Sequence, residues 1–168
     1  MKLSIIVPVY NMASDNKLTY CLDSLINQTI ADYEIIAVDD CSTDESLSIL
    51  KDYESRYPGK FVAIHSEKNL HQGGAKNIGL KRALGEWIGF MDADDWADPD
   101  MYKKLIEKAE SEGADLAGCD YSLVYEHTME VGSEIVPNSH DDQTGELTHI
   151  EKASLIMVGG SLCVKVYK

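Results

Sequence analysis

The chain has 168 residues, of which 44% are hydrophobic and 26% charged, enough for one soluble domain with a buried core. Its 29 acidic and 15 basic residues give a net charge of −14, which argues against a nucleic-acid partner and means that an anionic substrate would need a local cation. No segment approaches the roughly 20 apolar residues of a membrane span, and Pro8 ends the N-terminal apolar run too early for a signal peptide.

Apolar runs alternate with amphipathic segments along the first two thirds of the chain. The runs predict buried strands at residues 3–9, 33–38, 61–64 and 86–91. Helical periodicity and capping signals predict helices over 18–26, after a capping box at 42–45, over 72–84, and between Asp98-Pro99 and Gly113. This alternation predicts an α/β fold with a mostly parallel sheet flanked by helices.

The pattern changes after residue 113, where we expect a smaller mixed β region. It should contain strands over 116–125 and 129–136, a polar loop over 138–146, a short helix over 148–158 and a last strand over 161–167. No linker or repeat divides the chain, so residues 1–168 are predicted to form a single domain.

The four cysteines stand singly, at positions 21, 41, 119 and 163, and none belongs to a Cys-x-x-Cys pair. The five histidines do not cluster with them. We therefore expect reduced, buried or partly buried thiols in a cytosolic protein, without a zinc site.

Three carboxylates follow the strand predicted over residues 86–91. In an extended backbone Asp92 and Asp94 would point to the same side, and like charges that close together favour a cation between them. A divalent cation carrying a diphosphate fits, because hard cations prefer carboxylate oxygen and leave positions open for phosphate. The alternative is an acidic turn leading into a helix, and we assign Asp98 to that helix cap.

Polar residues also follow the first two strands, as Tyr10-Asn11 and Asp39-Asp40. Ligands of open α/β sheets bind at the carboxyl ends of the strands, so these groups should converge on one site with the acidic segment. The chain has neither the G-x-G-x-x-G nor the G-x-x-x-x-G-K-[ST] phosphate cradle, which disfavours a dinucleotide-binding fold and a P-loop protein.

Four motifs in this order resemble the family 2 glycosyltransferases, which have the GT-A fold. They are SIIVPVYN at 4–11, VDDCSTD at 38–44, Asn69 with GGAKNIG at 73–79, and GEWIGFMDADD at 85–95. The resemblance implies a GT-A type, Rossmann-like sheet with residues 1–113 as its nucleotide-sugar-binding half. It also implies transfer of a sugar from a nucleotide donor, usually with inversion at the anomeric carbon.

The resemblance implies a nucleoside pocket at the ends of the first two strands. Pro8, Val9 and Tyr10 would line this pocket. Asp39 would accept a hydrogen bond from the base, commonly from a uracil N–H. Cys41 replaces the glycine that the family usually has after the acidic pair, so we expect a small backbone adjustment there.

The diphosphate end of the implied site lies at the acidic segment, residues 92–95, which follows the strand predicted over 86–91. Asp92 would lie by the ribose, with Ala93 also in the donor site, and Asp94 together with Asp92 would bind the Mn²⁺ or Mg²⁺ that bridges the diphosphate. Lys76 stands where the family often has arginine. Lysine keeps the positive charge but lacks the two-pronged guanidinium fork of arginine, and Lys76 would contact the diphosphate or the base.

The general base of an inverting transfer is not assigned within the chain. In the family it is an aspartate of a later Glu-Asp motif, after a strand like the one predicted over 161–167, so we expect it beyond Lys168. Asp141 and Asp142 are acidic but lie in the polar loop, so we do not assign the role of general base to them. On this interpretation the chain lacks its C-terminal acceptor-binding part and would bind nucleotide yet turn over poorly.

The implied function is metal-dependent transfer from a UDP-sugar to a glycan or lipid-linked acceptor, in polysaccharide biosynthesis. The expected location is the cytoplasm, and any membrane contact would be indirect, at the inner face of the membrane. Two alternatives stay open: a nucleotidyltransferase acting on sugar phosphates, and a non-catalytic nucleotide-binding module. The first usually has a glycine-rich loop after its first strand, which residues 10–13 do not form.

Overall fold

The computed structural model describes residues 1–125, 130–137 and 162–168. The strands are Leu3–Val9 (β1), Tyr33–Asp39 (β2), Phe61–His65 (β3), Trp87–Phe90 (β4), Leu116–Gly118 (β5), Tyr121–Tyr125 (β6), Glu130–Val136 (β7) and Lys165–Tyr167 (β8). The α-helices are Lys17–Ile26 (α1), Ser46–Arg56 (α2), His71–Arg82 (α3) and Met101–Glu112 (α4). Short 3₁₀ turns occupy Ser14–Asn16 and Leu162–Val164.

Six strands form one sheet in the order β3-β2-β1-β4-β8-β5. β1 lies between β2 and β4 and is parallel to both, β3 is parallel to β2, and β8 is antiparallel to β4 and β5. The predicted mostly parallel α/β sheet is confirmed. All seven residues of β1 are buried, as expected for a strand covered on both faces.

Helices cover both faces of this sheet. On one face, apolar residues of α1 and α4 form the main hydrophobic core together with Leu3, Ile5 and Val7 of β1. On the other face α3 packs against β1 and β2, so closely that a Cβ built on Gly79 would lie 2.4 Å from Ile6 Cγ2. The parallel strands are therefore held between two helical layers, with their carboxyl ends at one edge.

The region after residue 113 differs in part from the prediction. The single strand expected over 116–125 is two strands, because β5 pairs with β8 whereas β6 pairs with β7 in a separate antiparallel hairpin. The last strand begins only at Lys165, after a 3₁₀ turn. The loop, the short helix and the aspartates predicted between residues 138 and 161 lie outside the described residues.

The capping box expected at residues 42–45 does not form. The residue before α2 is Glu45, which makes no side-chain cap hydrogen bond. Ser42 Oγ instead accepts from the Asn11 backbone N–H at 3.0 Å, and Asp44 Oδ2 accepts from the Ala13 N–H at 2.9 Å. These side chains join the loop after β2 to the loop after β1, while Asp44 Oδ1 accepts from the Ser46 N–H at 2.9 Å.

The start of α4 also differs from the prediction. The cap position is Asp100, and Asp98 Oδ1 accepts from the Asp100 N–H at 3.0 Å, so Asp98 shapes the turn before the helix. Gly113 ends α4 with a φ of 66°, as predicted.

All four cysteines are free thiols, as predicted. Cys21 and Cys163 are buried, and Cys41 and Cys119 are half-buried. In the part of the chain that the structure describes, no helix has both the length and the apolar character needed to cross a membrane.

Candidate functional site

A cavity of 600 Å³ opens where β1, β2 and β4 end. Its walls come from the loops after these strands and from the first turns of α3: Pro8, Val9, Tyr10, Met12, Asp40, Asn69, His71, Gln72, Ala75, Asp92, Ala93 and Asp94. Six of the eight residues predicted for the site are in this wall. Asp39 and Lys76 are not, and both are buried next to wall residues.

The loop after β1 is tied to the loop after β2 and carries Tyr10 at the mouth of the cavity. Asn11 adopts a left-handed φ of 52°, and its Oδ1 accepts from the Thr43 N–H at 2.8 Å. Together with the Asn11 N–H bond to Ser42, this contact closes the two loops onto each other. Tyr10 remains 49% exposed, so its ring is available to a ligand.

The two aspartates that end β2 have different surroundings. Asp40 borders the cavity, and its Oδ1 accepts from the Leu70 N–H at 2.8 Å, which fixes the start of α3. Asp39 is 0% exposed, and its Oδ2 accepts from the Ser42 N–H at 3.4 Å and meets His65 Nδ1 at 2.7 Å. The structure thus puts Asp39 one layer behind the wall, and its contact with a base stays a prediction.

Asp92 is held by α3. Its Oδ1 accepts from Gln72 Nε2 at 2.8 Å and from Lys76 Nζ at 3.3 Å. The Lys76 side chain is only 10% exposed, and its ammonium lies 5.7 Å from the centre of the Phe90 ring. Gln72 was not predicted as a site residue. Its spacing of four from Lys76, which puts both on one helical face, is the signal that could have found it.

The backbone after β4 is not extended, and the geometric premise for pairing Asp92 with Asp94 is wrong. Residues 92–95 form a turn in which the Asp95 N–H donates to the Asp92 carbonyl at 3.1 Å. A turn forms here because β4 ends at Phe90 and the backbone leaves the sheet. Asp92, Ala93 and Asp94 nevertheless all border the cavity.

The acidic turn could hold a metal ion through Asp92, which the sequence predicted as a ligand, and through Asp95 and Cys163, which were not assigned to the ion from the sequence. Among the described residues, ligand atoms of Asp92, Asp95 and Cys163 lie within 4.8 Å of one another. Partial burial raises the pKa of the Asp95 carboxyl, and the charges of Asp94 and Asp92 raise it further. The donors are mainly carboxylate oxygens, which suit Mg²⁺ or Mn²⁺.

The sheet with its helical layers and acidic cavity has the GT-A architecture of glycosyltransferases. The pattern of glycosyl transferase family 2 matches residues 4–151, and the chain belongs to this family. The alternative of a nucleotidyltransferase is therefore not supported.

The chain is similar to several named glycosyltransferases. It is 37% identical over 147 residues to the uncharacterized glycosyltransferase YibD of Escherichia coli K12, covering 88% of this chain and 41% of YibD. Over 98 residues it is 47% identical to the poly(ribitol-phosphate) beta-glucosyltransferase of Bacillus spizizenii, covering 57% of this chain and 15% of that enzyme. The chain thus spans less than half the length of these relatives.

A similar solved structure is the 1–349 fragment of TarS from S. aureus. It matches with a TM-score of 0.74 and 26% identity, over 100% of this chain and 47% of the fragment. The same fragment was solved with UDP, with a TM-score of 0.68 at 27% identity, over 99% of this chain and 46% of the fragment. Its complex with UDP-GlcNAc matches with a TM-score of 0.62 at 34% identity, over 69% and 33%.

Proposed function

We propose that this chain carries the donor site of a metal-dependent, inverting glycosyltransferase that takes its sugar from a nucleoside-diphosphate sugar, in the first instance a UDP-sugar. The observation that supports this most directly is the 600 Å³ cavity in which three strand ends and α3 meet beside an acidic turn. The acceptor would be a glycan or a lipid-linked glycan. Residues 1–113 would form the donor-binding half, and the general base is left unassigned.

The nucleoside would occupy the end of the cavity formed by Pro8, Val9 and Tyr10. A uridine donor is supported by the TarS fragment, which is similar in structure to this chain and was solved in complex with UDP and with UDP-GlcNAc. Tyr10 can stack on a base or sugar because its ring is half exposed, and Asp39 would receive the base N–H.

Asp94 and Asp92 would hold Mn²⁺ or Mg²⁺ at the diphosphate end. The crowding of carboxylates in this turn fits a divalent ion, because a bound cation would offset the mutual repulsion of Asp92, Asp94 and Asp95. Such an ion supplies Lewis-acid stabilisation of the leaving nucleoside diphosphate.

The chain's own residues would bind and orient the donor. Gln72 and Lys76 occupy Asp92 Oδ1, which leaves Oδ2 to accept a ribose hydroxyl or to bind the ion. The Lys76 ammonium lies beside Asp92 and compensates part of the charge there. The donor would thus meet groups that are already held in place, which lowers the entropic cost of binding it.

Calorimetric titration of UDP into the purified chain, with and without Mn²⁺, tests this proposal. We expect Mn²⁺-dependent binding that Asp94→Ala weakens at least about tenfold, since it removes a ligand of the ion. Glu107→Ala is the matched control, because it removes one exposed carboxylate from α4, away from the cavity. If UDP, GDP and dTDP all fail to bind under any metal condition, the donor site is wrong.

Turnover distinguishes an enzyme from the remaining alternative, a non-catalytic nucleotide-binding module. UDP-sugar transfer to a glycan acceptor by a longer chain that includes this one would support the enzyme. Binding without any transfer or donor hydrolysis by that longer chain would support the module.

A further inference from the structure

Within residues 1–125, 130–137 and 162–168, one carboxylate oxygen of Asp39 has no hydrogen-bond partner. Oδ2 is paired with His65 and the Ser42 N–H, whereas Oδ1 is buried and accepts no hydrogen bond from any described residue. A buried acceptor with no donor destabilises the folded state, so such an oxygen calls for an explanation.

The unpartnered oxygen belongs to a residue that adjoins the cavity wall on two sides. Asp39 pairs in the sheet with Val9, and it is followed by Asp40, and both of these residues line the cavity. A ligand group that enters this wall and carries an N–H would supply the missing donor. The wall lies at the nucleoside end of the proposed donor site.

The contact with His65 fixes the orientation of the Asp39 carboxylate. It ends β3 directly opposite Asp39 in the parallel register, and its Nδ1 lies 2.7 Å from Asp39 Oδ2. In the tautomer that carries the proton on Nδ1, the ring donates to Oδ2 and thereby leaves Oδ1 as the free acceptor. The His65 side chain is 42% exposed, so it can be replaced without opening the core.

We propose that His65 is a positioning residue that sets nucleobase selection by holding the Asp39 carboxylate. With His65 in place, the site selects a base with a ring N–H on its pairing edge, such as uracil, over cytosine, whose corresponding ring nitrogen is an acceptor. This inference rests on the proposed function, which already includes the contact of Asp39 with the base, and adds to it the residue that orients Asp39 for that contact.

The test compares UDP and CDP binding by calorimetry in Mn²⁺, in the wild type, His65→Leu and His65→Asn. Wild type should prefer UDP to CDP by at least about tenfold, the value of one charge-assisted hydrogen bond. His65→Leu should lose most of this preference through weaker UDP binding, while binding of Mn²⁺-pyrophosphate, which has no base, is unchanged. His65→Asn should restore the preference, because its amide N–H can take the place of Nδ1–H.

Two results would overturn the inference while leaving the proposed donor site in place. A His65→Leu variant that keeps the wild-type UDP-to-CDP ratio shows that His65 does not position the acceptor. Equal binding of UDP and CDP by the wild type shows that Oδ1 does not read the base, although a donor site exists. Failure of the wild type to bind any nucleotide or Mn²⁺-pyrophosphate is a different result, because it removes the proposed function itself. Circular dichroism of each variant checks that it is folded.

Discussion

Cys41 occupies a backbone conformation that favours glycine. Its φ is 64°, in the loop after β2 that borders the cavity. The sequence suggested that cysteine in place of the family's glycine would require a backbone adjustment, but the chain keeps the left-handed conformation. An L-residue costs about 1–2 kcal/mol there, and glycine's greater freedom in the unfolded state returns about 0.5–1 kcal/mol of that.

We therefore expect Cys41→Gly to stabilise the chain by about 0.5–1 kcal/mol, measured by urea unfolding. Cys119→Gly is the control, because Cys119 is also half-buried and its φ is not positive. This control should destabilise the chain, since it adds unfolded-state entropy and relieves no strain. Equal losses in the two variants would show that the φ of Cys41 is not strained.

Some of the site residues can be proposed from the sequence pattern, whereas the contacts between others depend on tertiary packing. Tyr10, Asp92 and Asp94 follow predicted strands, so strand ends and residue type sufficed to propose them. The contacts of Asp92 with Gln72 and of Asp39 with His65 depend on how α3 and β3 pack against the neighbouring strands. The spacing of Gln72 and Lys76 on one helical face is a local signal for the first contact. No local pattern in the sequence indicates the second, because it depends on β3 lying beside β2.

The close packing of α3 on β1 makes a specific prediction at Gly79. Alanine normally stabilises a helix relative to glycine, but its Cβ would lie 2.4 Å from Ile6 Cγ2 and 3.2 Å from Cγ1. Because Ile6 lies within the central strand, it cannot move away freely. We expect Gly79→Ala to destabilise the chain by about 1–3 kcal/mol in urea unfolding.

Gly73 in the same helix is the matched control for this prediction. A Cβ added there meets no atom of the described residues within 4 Å, and the φ of Gly73 is not positive. Gly73→Ala should therefore stabilise the chain by about 0.5–1 kcal/mol. If both substitutions stabilise, α3 lies farther from β1 than the structure has it.

At the β3 edge of the sheet, two side chains of α2 bond to the backbone N–H and carbonyl of Ala63. Glu54 Oε1 accepts from the Ala63 N–H at 2.9 Å, and Lys51 Nζ donates to the Ala63 carbonyl at 3.0 Å. These contacts leave less of the edge free to pair with another chain. Hydrogen bonds from Lys51 and from the Ala63 N–H lower the pKa of Glu54.

Because its folded-state pKa is lowered, Glu54 contributes stability above its unfolded pKa and loses it as the pH falls through the folded value. The Glu54 side chain is 35% exposed, so we expect Glu54→Gln to cost no more than about 1 kcal/mol at pH 7. Thermal unfolding should show this difference shrinking towards about pH 3, below the unfolded pKa of about 4.3. The control Glu107→Gln removes an exposed carboxylate of α4 and should change stability by less at pH 7. A difference that stays constant with pH for Glu54→Gln would contradict the pairing of Glu54 with Lys51 and the Ala63 N–H.

Whole elements were easier to predict than their ends. β1 was predicted over its full length because seven consecutive residues suit burial on both faces. The capping box failed because the same polar side chains, Ser42 and Asp44, bond to backbone N–H groups 31 residues earlier in the chain. Short polar side chains can bond to any backbone N–H that folding brings near, and only the tertiary structure decides which.

The charge of the whole chain affects its stability independently of any site. A net charge of −14 on 168 residues opposes compaction by self-repulsion. Salt shortens the range of this repulsion, from about 30 Å at 0.01 M ionic strength to about 8 Å at 0.15 M. The melting temperature should therefore rise with NaCl over this range, in the wild type and in variants that remove one surface carboxylate alike.

Mn²⁺ should raise the melting temperature further at concentrations too low to change the ionic strength, because binding to the folded state alone stabilises it by mass action. At one hundred times its dissociation constant the ion would add about 2.7 kcal/mol. Scanning calorimetry at constant 0.15 M NaCl measures this increment. Asp94→Ala should keep the response to NaCl and lose most of the response to Mn²⁺, whereas Glu107→Ala should keep both. An undiminished Mn²⁺ response in Asp94→Ala would mean that the cation is bound by the acidic surface at large, since only a localised site depends on one carboxylate.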